Sequence, residues 1–298
     1  AQNAMECPAW EASFSVEGFL ASLKASGSEI LASPLIMNLW RAPTENDGLE
    51  LFMDLQGHPD FEFYCKDKAM YLWLDAGLDE LRFSLVDMGA DATQGGLSIL
   101  HEVAGSGGRK AGRLVQRWSF GHEGPHCTFV FDLDPGLPEL PRIGLSSALV
   151  AGHELVRWYG RGPHECYSDR KAGAALGLWS STVDALQVPY VLPQENGNRT
   201  DTRWVEFATG NGRALRVSSA GRFDFTASHH EAAQLWKAHH THELLHRPQT
   251  FITLDIAQRG LGTASCGPDT LERYRLRPGV WSLDLSFGPG QSGASEAV

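Results

Sequence analysis

No apolar run in the 298-residue chain approaches the ~18 residues that a membrane-spanning helix needs. The start lacks the basic region and apolar core of a secretory signal, and Ala1 to Ala4 read as a tag remnant ahead of Met5. Positive charge is scarce: 25 Lys and Arg stand against 36 Asp and Glu, for a formal net charge of -11 and a pI ≈ 5.5. That balance disfavours nucleic acid and anionic membranes, which require basic patches. No C-x-x-C occurs, so a zinc ribbon is not expected. The cysteines are five in number (Cys7, Cys65, Cys127, Cys166 and Cys266) and lack paired spacing, which points to reduced thiols and a cytoplasmic setting. No internal repeat is found. No regular alternation of strand and helix is found either, and no Gly-rich linker divides the chain.

What is present is β-rich. A hydrophobic share of 42% suffices for a core. Short segments with strand character lie over 12–16, 19–24, 29–32, 81–86, 97–103, 113–120, 127–133 and 142–149. Others follow over 204–209, 215–219, 222–227, 250–258, 273–276 and 280–287. Turn signals rich in Gly, Ser and Pro separate them. Helical spacing marks 49–55 and 66–78, and a short helix is expected over 229–237 with Ser228 as its N-cap. Trp73, Trp118, Trp179 and Trp281 read as core residues. The pattern predicts a large antiparallel sandwich forming one domain over 5–287, followed by a flexible tail over 288–298.

The most informative stretch runs from Trp158 to Trp204. It opens W-Y-G-R-G-P-H-E-C-Y-S-D-R and closes V-P-Y-V-L-P-Q-E-N-G-N-R-T-D-T-R-W. Gly160, Gly162 and Pro163 suggest a tight loop. Aromatics beside Arg, Glu and Asn are what a sugar pocket uses, flat faces for C–H groups and planar polar groups for hydroxyls. A braced structural loop has the same composition.

Two further motifs complete a set: N-L-W-R-A-P-T-E-N-D-G from Asn38 to Gly48, and G-L-G-T-A-S-C-G-P-D-T from Gly260 to Thr270. In this order and spacing, the four segments resemble the C-terminal domain, or small chain, of family 2 β-galactosidases. The resemblance covers nearly the whole chain. It implies a β-supersandwich of large antiparallel sheets, galactose mutarotase-like, with a few short helices. It also implies a partner, the TIM-barrel domain or large chain that carries both catalytic glutamates, in an enzyme that is oligomeric when complete. This chain would then close one side of the galactoside pocket. Any Mg or Na would belong to the barrel, and no cofactor is expected in this chain. The best-known members set a Trp of this domain against the sugar, and the matching position here is Cys266.

A retaining glycosidase needs two carboxyl groups about 5–5.5 Å apart. A TIM barrel takes roughly 250 residues of alternating strand and helix. This chain offers neither that alternation nor the spare length, so no catalytic residue is assigned and the isolated chain is expected to be inactive. The competing reading is a stand-alone carbohydrate-binding module or an aldose 1-epimerase, with Glu195 or Glu165 paired with His164 or His242. Candidates for the sugar-facing surface are Glu195, Asn196, Arg199, Arg203, His242 and Cys266. Arg41 and Asp47 read as a salt-bridged turn or a ligand-facing cluster. Tyr159, Arg161, Glu165 and Arg170 read as bracing. His239, His240, His242 and His246 crowd one segment, with His229 and His230 nearby, but no metal is expected there.

Overall fold

The computed structural model describes residues 10–91 and 96–290. Cys7, the residues read as a tag remnant and the tail beyond Gly290 lie outside these. The strands are β1 (Trp10–Phe14), β2 (Leu20–Ala25), β3 (Ser28–Glu29), β4 (Leu31–Asn38), β5 (Arg82–Asp91), β6 (Gly96–Ala104), β7 (Lys110–Gly121) and β8 (Gly124–Leu133). They continue with β9 (Arg142–Leu149), β10 (Leu155–Gly162), β11 (Ala175–Thr182), β12 (Arg199–Ala208), β13 (Ala214–Ser228), β14 (Thr250–Gln258) and β15 (Val280–Pro289). All pair antiparallel, in the order β1-β2-β4-β9-β14-β13-β15-β8-β7-β6-β5, with β12, β10 and β11 branching from β13. The predicted mainly β, antiparallel fold with few helices is therefore what the chain adopts.

β13 is the hinge of this arrangement. Its first half, Leu215 to Ser218, pairs with β15, and its second half, Asp224 to Ser228, pairs with β14. A strand that changes neighbours midway joins two sheets into one hydrogen-bonded system. The two sheets lie face to face. Phe14 of β1 meets Trp118 of β7 edge-on at 5.3 Å, and Phe19 stacks on His101 of β6 at 4.5 Å. Gln116 of β7 donates to the Gly18 carbonyl at 3.2 Å. Period-two patterning builds the interior: Cys127, Phe129, Phe131 and Leu133 of β8 all point inward and are buried.

Helices α1 (Leu49–Leu55), α2 (Phe61–Cys65) and α3 (Ala69–Asp75) follow β4. Trp73 of α3 is fully buried and donates its indole N–H to the Glu139 carbonyl at 2.8 Å. α3 stops short of the expected Leu78. Gly77 takes the left-handed conformation that ends helices, and a Cβ there would meet the Ser106 nitrogen at 2.5 Å.

Several expectations give way for local reasons. The Trp158 stretch is a strand, β10, seated between β11 and β12. Gly160 and Gly162 are required by packing, since a Cβ at Gly162 would lie 2.8 Å from Trp179 and one at Gly160 would lie 2.8 Å from Thr202. The two strands expected over 215–227 are one, β13. The helix after it shrinks to α5 (Ala232–Leu235), capped by Glu231 and Gln234, while Ser228 ends the strand. The segment over 273–276 is a 3-10 turn, Glu272–Tyr274. Trp179 and Trp281 are only partly buried, unlike Trp73 and Trp118. β15 runs to Pro289, which pairs with Leu215, so Gly288 and Pro289 belong to the sheet rather than to the expected tail.

Candidate functional site

The four sequence motifs meet at one edge of the sandwich and close a ring of hydrogen bonds. Asn46 donates to the Gly262 carbonyl at 3.0 Å and accepts from the Ser265 N–H at 3.0 Å, joining the first motif to the last. Asp169 accepts from the N–H groups of Leu261 and Gly262 at 3.0 and 2.8 Å, joining the last to the second. Glu165 accepts from the Gly197 N–H at 2.8 Å and from the Tyr190 hydroxyl at 2.6 Å, joining the second to the third. Gln194 accepts from the Glu45 N–H at 3.3 Å and returns the ring to the first motif.

Buried charges lie beneath the ring. Arg41 holds both oxygens of Asp47 at 2.9 Å, with the two side chains wholly buried, and donates to the Arg259 carbonyl at 2.8 Å. Thr44 donates to Asp47 from its N–H and its hydroxyl, both at 2.9 Å. Arg259 lies 3.5 Å from Asp47 and grips Asp269 at 2.8 and 3.0 Å. Arg142 sits between Glu195 at 2.7 Å and Asp255 at 3.6 Å. Burial opposes the Arg142 charge, but Asp255 and Glu195 outweigh it and hold the guanidinium above its ordinary pKa. Burial pushes Asp255 up to about 7 against the pull of Arg142, and Asp224 is pushed to about 7 by the same cause.

The predicted sugar-facing residues fall into three groups. Glu195, Asn196 and Arg199 are buried and internally bonded. Glu195 is held by Arg142, and Asn196 accepts from Val188 at 3.0 Å and donates to Gln194 at 3.0 Å. Arg199 donates to the Gly197 carbonyl at 2.8 Å and lies 5.5 Å over the Trp158 ring. Arg203 donates to the Asp201 carbonyl and lies 5.6 Å over Tyr159. His242 and Cys266 are exposed, His242 apart from the ring in a 3-10 turn beside His240, and Cys266 next to Ser265 in the Gly260 to Thr270 loop. The bracing set divides as well. Glu165 pairs with Arg170 at 2.8 Å, whereas Arg161 reaches past both to Asp201 at 2.6 Å. Asp201 adopts a left-handed φ of 54° at an irregularity in β12. Burial opposes its charge, but Arg161 and Lys171 prevail and hold its carboxyl below the usual range.

A cleft of about 430 Å³ opens beside the ring. Its lining includes Asp184, Tyr190, Gln194, Asn196, His230 and His246, so it takes Asn196 alone of the six sugar-facing candidates. His164, Glu165, Asp169 and Arg170 line a smaller hollow of about 330 Å³. The crowded histidines separate. His246 joins His229 and Asp184, while His240 and His242 stay with Glu243.

Asn46, Arg142, Asp169, Gln194, Asp255 and Arg259 went unselected in the sequence. Three of them stand inside the motifs, where their composition had already singled out the stretch. Arg142, Asp255 and Arg259 lie on or beside strands β9 and β14, and only the pairing of those strands brings them to the motifs.

A large antiparallel sandwich with one edge locked by polar side chains from four distant segments is a domain that presents a rigid polar surface. Residues 6–287 match the beta galactosidase small chain family, and the chain belongs to that family. It is 33% identical over 248 residues to a β-galactosidase of Vibrio cholerae serotype O1, an alignment covering 82% of this chain and 23% of that protein. It is 30% identical over 263 residues to a β-galactosidase of Arthrobacter sp. (strain B7), covering 84% of this chain and 25% of that protein. The chain thus spans about a quarter of the length of these relatives. A galactose mutarotase-like protein from Lactobacillus casei overlays on 94% of this chain and 97% of its own, with a TM-score of 0.48 and 10% identity. The resemblance carried by the four motifs is borne out.

Proposed function

We propose that this chain completes the galactoside pocket of a β-galactosidase whose two catalytic glutamates lie on a separate TIM-barrel domain or large chain. The assembled enzyme hydrolyses terminal non-reducing β-galactosides with retention. The observation that carries this reading is the closed ring. Four segments spread over more than two hundred residues converge on one edge, and they fix it before any partner arrives. A surface that rigid suits a pocket wall, because positioning a sugar to within fractions of an ångström needs side chains already locked.

The same geometry weighs against catalysis by this chain alone. Glu165 is engaged by Arg170, Tyr190 and Gly197, and Glu195 by Arg142. A general base for an epimerase would need one of them free. The reading sets the assembly in the cytoplasm, supported by the free thiols of Cys65, Cys127, Cys166 and Cys266, and takes the assembled enzyme to be an oligomer.

The test is an assay of the pure chain for β-galactoside hydrolysis and galactose mutarotation, alone and mixed with a large chain of a family member. Hydrolysis only on mixing is expected. Hydrolysis by the chain alone would overturn the reading, and mutarotation lost in Glu195→Ala would favour the epimerase instead.

A further inference from the structure

Three side chains from three separate segments meet beside the 430 Å³ cleft, and two of them, Asp184 and His246, line it. His229 follows the end of β13 and is buried, 2% exposed. Its Nδ1 lies 3.0 Å from the Gln249 carbonyl, which can only accept, so Nδ1 carries a proton, and Nε2, which faces carboxylate oxygen, holds either a second proton or a metal ion. That Nε2 faces Glu154 Oε2 at 2.8 Å and Asp184 Oδ1 at 4.0 Å. His246 Nε2 lies 3.1 Å from the same Asp184 oxygen, and its ring is 4.2 Å from the His229 ring. The donor atoms of Asp184, His229 and His246 all fall within 4.8 Å of one another.

We propose that these three residues form a zinc site, with Glu154, 2.8 Å from His229 Nε2 but outside the group of mutually close donors, as the competing partner of His229. Tetrahedral zinc with bonds of ~2.0–2.1 Å to imidazole and carboxylate sets its ligand atoms about 3.3 Å apart. The observed spacings bracket that value. Two imidazoles with a carboxylate select a borderline ion such as Zn²⁺ over Mg²⁺ or Ca²⁺, which take oxygen ligands. The Gln249 carbonyl supplies the outer hydrogen bond that orients a metal-bound histidine. His229 is the fixed anchor, while the exposed Asp184 and His246 close on the ion with small side-chain rotations. From the sequence, no metal was expected in this histidine-rich segment. His240, His242 and Glu243 also bring donors together, but all three are exposed within one short turn and have no buried anchor.

The bound ion would clasp the short helix α4 (Val183–Leu186) to the end of β13 and to the segment before β14. These are walls of the cleft. The alternative for the same atoms is a protonated His229 paired with Glu154, which needs no metal.

The test is calorimetric titration of Zn²⁺ alone into the chelator-treated chain at neutral pH, with Co²⁺ replacing zinc for visible spectroscopy. One zinc per chain is expected, with the ligand-field bands of a tetrahedral cobalt site and a zinc-dependent rise in melting temperature. His246→Gln and Asp184→Asn, both at exposed positions, should each weaken binding at least about tenfold and abolish the rise. His240→Gln should bind as the unaltered chain does. Absence of binding by the unaltered chain, unchanged affinity in His246→Gln, or loss confined to His240→Gln would overturn the proposal.

Discussion

The motif edge and the β5 to β8 layer are held together by different means. In the layer, each strand pairs with its sequence neighbour, and inward residues such as Ile99, Leu114 and Phe129 alternate with outward ones. At the edge, Arg41, Asp47, Arg142, Asp255 and Arg259 are buried as charges or potential charges; Arg41 and Asp47 pair across one turn, and Arg142, Asp255 and Arg259 are answered by residues far away in sequence. Apolar packing tolerates graded change, because losing a methylene costs only its own burial and the cavity left behind. A buried ion network does not, because removing one member leaves another charge uncompensated in a low dielectric.

The largest expected effect is at the edge. Asp47→Ala strands Arg41 and leaves Arg259 without its 3.5 Å neighbour, and should cost about 3–5 kcal/mol in urea unfolding. A loss no larger than that of a single methylene would dissolve the distinction between the two regions.

Next is the pH dependence. Asp255 and Asp224 are each pushed to about 7 in the folded chain, from an ordinary 3.8. The folded state therefore holds more protons than the unfolded state between these values. Their contribution to stability is complete below about pH 3.8 and is lost as pH rises through 7, on the order of a few kcal/mol. Asp255→Asn should flatten the decline in melting temperature from pH 5 to pH 8, with Asp224 sustaining the remainder. An unchanged slope would show that Asp255 is ionised throughout.

The smallest effect belongs to the layer. Ile99→Val, at a fully buried position on β6, should cost about 0.5–1.5 kcal/mol by the same unfolding measurement and should be insensitive to pH. A pH-dependent loss there would mean that the two regions are energetically coupled.

The same contrast decides what was legible in the sequence. β9 and β14 were read to the residue and α1 likewise, because alternation and helical spacing are local signals. The layer was located throughout, with ends a few residues off. β4 was read only over its first two residues, and β11 was missed. Pro34 interrupts the first, and the second is an edge strand whose Leu176 and Leu178 face outward. The motifs marked segments that converge in the fold, but not the contacts made within them. Glu195 looked ligand-facing because its partner Arg142, 53 residues away, is invisible until β9 packs near it. Gly160 and Gly162 looked like turn glycines because nothing local announces Thr202 closing over the first and Trp179 over the second. Crowding in sequence misled at the histidines, where His246 faces His229 across a loop rather than its neighbours.

The most direct measurement is amide hydrogen exchange of the chain, with and without a β-galactosidase large chain. The account predicts new protection over residues 44–47, 163–170, 188–197 and 260–270, and unchanged exchange in β5, β6 and β7. Protection confined to β5, β6 and β7, with the motif segments unaltered, would contradict it.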